Sequence, residues 1–155
     1  PSLSVILGQV VLGGIAIAML VGAPTFVNPV LLLVGLVLGF AALAVLGYAT
    51  AIITRTVEAA QITTLLPLGA LMLFSGALLP LTLMPDPMRL VAECTPLAAV
   101  NQLFTLGLSG TTSDGETVDL AQSFVAGLAP TIVLLAWITL GSFLVLRKLP
   151  WEPRR

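Results

Sequence analysis

Every charged side chain in this sequence lies outside four long apolar blocks, and no other feature restricts the possible folds so severely. The blocks cover residues 3–21, 30–53, 62–80 and 123–146, and all thirteen Asp, Glu, Lys and Arg residues fall outside them. About 20 apolar residues in a helix cross the ~30 Å hydrocarbon core of a bilayer, so each block is long enough to span one. A charge at the centre of that core costs about 3 kcal/mol even on the mildest scale, which explains the segregation. With 58% hydrophobic and only 8% charged residues, the 155-residue chain cannot build the water-facing surface of a soluble domain. The pattern predicts an all-α integral membrane domain with four transmembrane helices.

The charges between the blocks set an orientation. Arg55 separates the second and third blocks, and Arg147, Lys148, Arg154 and Arg155 follow the fourth, so both regions are expected in the cytoplasm. Segment 81–122 carries Asp86, Glu93, Asp114, Glu116 and Asp119 against Arg89 alone and belongs outside. The first block then leaves the cytoplasm near Pro1, and 22–29 is a short external turn. The run begins without an initiator Met or a charged leader, so it reads as the cut edge of a longer chain rather than a signal peptide.

Within the second block, Gly35 and Gly39 form a GxxxG stretch, a spacing that lets helix backbones approach closely; packing inside the bundle is favoured over a subunit interface. Pro67 and the Ser75-Gly76 pair imply a kinked or unwound outer half of the third span, and Pro130 a kink in the fourth. In the external segment, Asp86-Pro87 and Thr95-Pro96 each place a capping residue before a proline suited to the first helical turn. Two short helices follow, about 87–94 and 96–106, the second stopping near Gly107 and Gly110. Their apolar composition, with neither long enough to span, predicts a re-entrant helical hairpin over about 86–107 between the last two spans. Arg89 and Glu93 are set for a local ion pair, and Asp119 with Gln122 for a capping box opening the last span.

Composition also excludes chemistry. The chain has no histidine and one cysteine, Cys94, which is read as packing; it offers no metal site, no disulfide and no bound cofactor. No GxxxxGK[ST] stretch is present and the sole lysine, Lys148, is C-terminal, so this chain is not expected to cradle nucleotide phosphates by itself. No block contains Asp, Glu, His, Lys or Arg, which disfavours proton coupling and intramembrane hydrolysis. A net charge of −1 gives no reason to expect nucleic acid.

The stretch Phe74-Ser75-Gly76-Ala77-Leu78-Leu79-Pro80, followed by Met84-Pro85 and Thr95-Pro96-Leu97, resembles the membrane subunits of type 2 ABC exporters, the bacterial daunorubicin and drug-resistance permeases above all. Residues 55–61 resemble the stretch by which that family enters its fifth span, close to its ATP-binding subunit. Two positions depart from the family's pattern, Ala99 and Thr105, where polar or basic residues are the rule. The resemblance implies that these spans are the last four of six in a multi-pass protein of the bacterial cytoplasmic membrane, C-terminus cytoplasmic. It implies an ABC ATP-binding subunit and a second permease subunit, identical or not, as partners, and a small hydrophobic or amphiphilic compound, a lipid or a polymer as cargo. By the same token Arg55, Glu58 and Gln61 are candidates for coupling to the ATP-binding subunit. Phe74, Ser75, Gly76, Pro80, Pro85 and Pro96 are candidates for the external gate and hairpin. An ion-coupled carrier fragment and a non-transporting membrane anchor or assembly protein are the rival readings.

Overall fold

The computed structural model describes residues 26–54, 56–76 and 80–148, and they are helical throughout apart from short turns and one isolated bridge between Thr111 and Thr117. Five helices follow in order: α1, Pro29–Ile53; α2, Val57–Leu73; α3, Asp86–Glu93; α4, Pro96–Ser109; and α5, Leu120–Lys148. The expected first span, with the rest of residues 1–25, lies outside the described residues.

Helices α1 and α5 are the two long apolar ones, of 25 and 29 residues. At 1.5 Å per residue they reach about 37 and 43 Å, more than a hydrocarbon core requires. Only 22% and 17% of their most apolar windows are buried. A core helix of a soluble protein would be mostly covered, whereas Leu33, Val37, Phe40, Val125, Leu128 and Ile132 are exposed. Such an apolar exterior is a surface for lipid.

The third expected span differs. Helix α2 starts five residues before its apolar block and ends at Leu73, giving 17 residues of which Gln61–Leu73 are the apolar part. The local reason lies in Ser75 and Gly76. Ser75 returns both its N–H and its Oγ to the Met72 carbonyl, at 3.3 and 2.8 Å, and Gly76 adopts φ +79°, a left-handed turn that ends a helix. The unwinding expected of this region therefore takes the form of a helix terminus. Helix α5 continues through Pro130 without a break in assignment.

The hairpin helices form close to their expected limits, with two corrections. Asp86 is the first residue of α3 rather than its cap; Pro85 holds the cap position and its carbonyl accepts from the Met88 and Arg89 amides. Gly107 does not stop α4, which runs on to Ser109 and ends where Gly110 turns left-handed at φ +65°. Thr95 caps α4 as expected, accepting from the Ala98 amide at 3.3 Å, and Asp119 caps α5 by accepting from the Gln122 amide at 2.9 Å.

Helices α1, α4 and α5 pack mutually into a three-helix core, while α2 touches the rest sparsely. Leu31, Ala42, Ala99, Leu103, Leu106 and Leu134 form the buried centre. Close approach depends on glycine. A Cβ on Gly39 would lie 2.6 Å from Val100 Cγ2, one on Gly35 would lie 3.0 Å from Leu103 Cβ, and one on Gly107 would meet Leu32 Cγ at 2.5 Å and the Asn28 carbonyl at 3.0 Å. The GxxxG stretch thus serves packing within this chain, against α4.

Replacing Gly39 with Val should lower the unfolding free energy of the reconstituted protein by about 1–3 kcal/mol through overpacking. Gly69→Ala, where nothing lies within 4 Å of an added Cβ, should be neutral or slightly stabilising. Denaturant unfolding in lipid discs distinguishes the two.

Candidate functional site

A buried polar junction holds one end of the three-helix core. Asn28 precedes Pro29, and its Oδ1 caps α1 by accepting from the Val30 and Leu31 amides at 3.2 and 3.3 Å. Its Nδ2 donates to Ser123 Oγ on α5 at 2.9 Å, and its backbone N–H donates to the Gly107 carbonyl on α4 at 3.0 Å. Ser123 Oγ in turn donates to the Leu120 carbonyl at 2.7 Å. Asn28 and Ser123 are 1% and 0% exposed, and each hydrogen bond removes a desolvation cost of about 1–3 kcal/mol per polar group. Neither residue was among the candidates of the sequence analysis. The signal was nevertheless there, because Asn-Pro is the same cap-then-proline pair that marked Thr95-Pro96.

At the other end of α4, the turn through Cys94 and Thr95 meets the middle of α5, where Trp137 Nε1 donates to the Cys94 carbonyl at 2.8 Å. The Cys94 side chain is exposed, not packed as expected, because it sits at the turn between α3 and α4. Ser123 and Trp137, which engage the two ends of α4, are about 21 Å apart along α5.

The expected external-gate residues divide. Phe74 packs on a small second cluster of Leu81, Met84 and Ala92; Ser75 is buried beside it; Gly76 and Pro80 border an outer cleft. Pro96 is fully buried at the opposite end of α4, next to the Trp137 contact, and Pro85 opens α3. The structure therefore brings four of the six together and leaves Pro85 and Pro96 apart. The cleft, about 210 Å³, also takes in Asn101, Gln102 and Thr105 of α4 and Thr112 and Ser113 of the following loop. Gln102 Nε2 is buried with no hydrogen-bonding partner among the described residues, a cost of about 1–3 kcal/mol in the empty cleft.

The loop over that cleft is tied down. Thr112 exchanges three hydrogen bonds with Glu116 and accepts a fourth from the Gly115 amide, and Arg89 pairs with Glu93 at 2.9 Å, as expected, and also with Asp114. The hydrogen bonds that the Arg89 guanidinium donates to Glu93 and then to Asp114 hold it above its ordinary pKa.

The expected coupling residues lie at the far end of α2. Glu58 stands in its first turn and Gln61 three residues on, both exposed, and Thr56 caps the helix by accepting from the Ala59 amide at 3.2 Å. Arg55 lies outside the described residues. Between α1 and α2 runs a groove of about 340 Å³ whose walls include Leu46, Gly47, Thr50, Thr63, Pro67 and Leu71. Pro67 lacks an N–H, so the Thr63 carbonyl, four residues earlier in that wall, has no helical donor. No cluster of three metal-ligating side chains occurs among the described residues.

Two long helices with exposed apolar faces and a helical hairpin between them suit a membrane protein. Residues 2–108 match the ABC-2 type transporter family, and since this is more than half of the chain, the chain belongs to that family. No curated protein and no solved structure matches it. Membership makes the chain the membrane permease part of an ABC transporter, itself non-catalytic, working in a membrane beside an ABC ATP-binding subunit. It favours neither the ion-coupled carrier nor the anchor.

Because Asn28 and Ser123 satisfy one another, Asn28→Ala and Ser123→Ala should each destabilise by about 1–3 kcal/mol, and the double variant by clearly less than their sum. A double-mutant cycle in denaturant reads this; strict additivity would mean that the pair is uncoupled.

Proposed function

We propose that this chain forms half of the pathway of an ATP-driven exporter, moving a hydrophobic or amphiphilic compound from the cytoplasm or inner leaflet outward. A second permease subunit completes the pathway, and separate ATP-binding subunits drive it. The observation that carries the reading is the placement of α2. One helix, continuous through Pro67 and with few contacts among the described residues, connects the polar turn at Glu58 and Gln61 with the cleft at Gly76, and the groove along it is apolar except for threonines. Nucleotide-dependent movement of the ATP-binding subunit would act on Arg55, Glu58 and Gln61, and a helix with few contacts costs little to displace. The aliphatic lining suits apolar cargo of varied shape, with the Thr hydroxyls supplying a few polar contacts.

In this reading the cytoplasmic face carries Arg55, Arg147 and Lys148, the outer face carries the acidic 81–122 segment, and the chain supplies the last four of six spans of a bacterial inner-membrane protein. The hairpin α3–α4 is then re-entrant. Its tip at Cys94 would lie about 21 Å along α5 from the Asn28–Ser123 junction, with the Arg89–Glu93 ion pair beside it.

The full-length protein with its ATP-binding subunit, reconstituted in liposomes, should move a fluorescent amphiphile only with ATP. A joint Glu58→Ala and Gln61→Ala change should cut transport roughly tenfold while leaving the amount of membrane-inserted protein unchanged. Equal transport without the ATP-binding subunit would overturn the proposal.

Hairpin depth has its own readout. In intact vesicles, Cys94 should resist both a small apolar maleimide and charged, impermeant ones, because a thiol held in hydrocarbon does not form the thiolate that attacks maleimide, and should react once the protein is denatured; ready labelling by the impermeant reagent would put the tip in water.

A further inference from the structure

We infer that the outer cleft is a binding site for an uncharged, hydroxyl- or carbonyl-bearing group, presented on an amphiphile; the amphiphile clause rests on the exporter reading above. The cleft is bounded by Gly76 and Pro80, by Asn101, Gln102 and Thr105 on one face of α4, and by the loop through Thr112 and Ser113. At about 210 Å³ it is smaller than the 300 Å³ or more that a drug-sized molecule fills, so it takes one polar group while the remainder of the molecule stays outside.

Its chemistry selects for neutrality. Thr82, Asn101, Gln102, Thr105, Thr112 and Ser113 supply hydroxyls and amides, and among the described residues no charged side chain lines the cleft. The nearest opposite charges are turned to one another: Asp114, between Ser113 and Gly115 in sequence, pairs with Arg89. A charged headgroup would lose water here and gain no counterion. A sugar-like hydroxyl or an amide carbonyl can accept from and donate to the two adjacent carboxamides. Gln102 is the specific gap: it lines the cleft, and its Nε2 is a shielded donor without an acceptor among the described residues.

The site is also built in advance. Gly76 at φ +79° leaves room that a side chain would take, since a Cβ there would stand 3.2 Å from Leu81 Cγ and 3.4 Å from Asn101 Nδ2. The loop opposite is fixed by the Thr112 hydrogen bonds and by Arg89, so little ordering is left for the ligand to impose.

The test uses the full-length protein with its ATP-binding subunit in lipid discs, carrying Cys94→Ala and Ser113→Cys, and measures how fast Ser113→Cys reacts with a maleimide. Octyl glucoside below its micellar concentration should slow the reaction at least fivefold. Octyl sulfate and octyltrimethylammonium at the same concentration should not. Gln102→Leu should raise the octyl glucoside needed about tenfold, and Gln102→Glu should transfer protection to octyltrimethylammonium, a gain that misfolding cannot mimic. Equal protection by all three headgroups, or protection indifferent to both Gln102 variants, overturns the site. Protection by free glucose at the same concentration as by octyl glucoside overturns the amphiphile clause, making the ligand a soluble sugar. Protection without ATP-driven transport would sink the exporter reading and leave the site; transport without protection would do the reverse.

Discussion

The junction at Asn28 is the contact on which the described structure depends, because it solves the same problem for three helices at once. In an apolar medium the first amides of a helix and the carbonyls of its last turn have no water to satisfy them. Asn28 caps α1 with one side-chain atom, reaches Ser123 on α5 with the other, and closes onto Gly107 of α4 with its backbone. A single neutral side chain thereby fixes the register of α1 against both partners. Ionised groups could make the same connections only at a far greater desolvation cost. The absence of charge from the apolar blocks and the presence of Asn at this point are two consequences of one constraint.

From that junction the glycines extend the contact. Gly107, Gly35 and Gly39 bring α1 and α4 close enough for Leu32, Leu103 and Val100 to occupy the space where side chains would otherwise stand. Such packing is available without a hydrophobic driving force, which lipid does not provide between helices. Helix α2 has no comparable seam: Gly69 faces open space, Leu65 and Leu66 are 66% and 73% exposed, and Pro67 removes one internal hydrogen bond. Stability is therefore uneven, with a firm trio and a loosely attached fourth helix. An element of low local stability is the one a partner can move.

Much of this was legible in the sequence where the physics is local. Charge segregation located α1 and α5 to within three residues, and proline-linked caps located α3 and α4. Family membership was readable from the 74–97 motifs, and it agrees with the match over residues 2–108. Reading was poorer where an outcome depends on distant partners. Gly107 looked like a helix stop because a glycine's local preference is to end helices, yet Leu32 and Asn28 make it a close-contact position inside α4. Cys94 looked like core because cysteine usually is, yet a turn exposes it. Asn28, Ser123 and Trp137 act across roughly 43 to 95 residues of chain, and no periodicity encodes such pairings.

Helix α4 shows why the stabilising and functional parts of this fold are hard to separate. One side carries Ala99, Leu103, Leu106 and Gly107 into the trio, and on the other Asn101, Gln102 and Thr105 face the outer cleft. Ala99 is fully buried in the trio, while Thr105 satisfies its hydroxyl on the Gln102 carbonyl at 3.0 Å and still lines the cleft. A basic residue at 105 would place a charge in a cleft that holds none. Holding the apolar side firmly against α1 and α5 keeps the polar side in position, so the rigidity of the trio is what allows a short helix, with neutral groups alone, to present a defined surface.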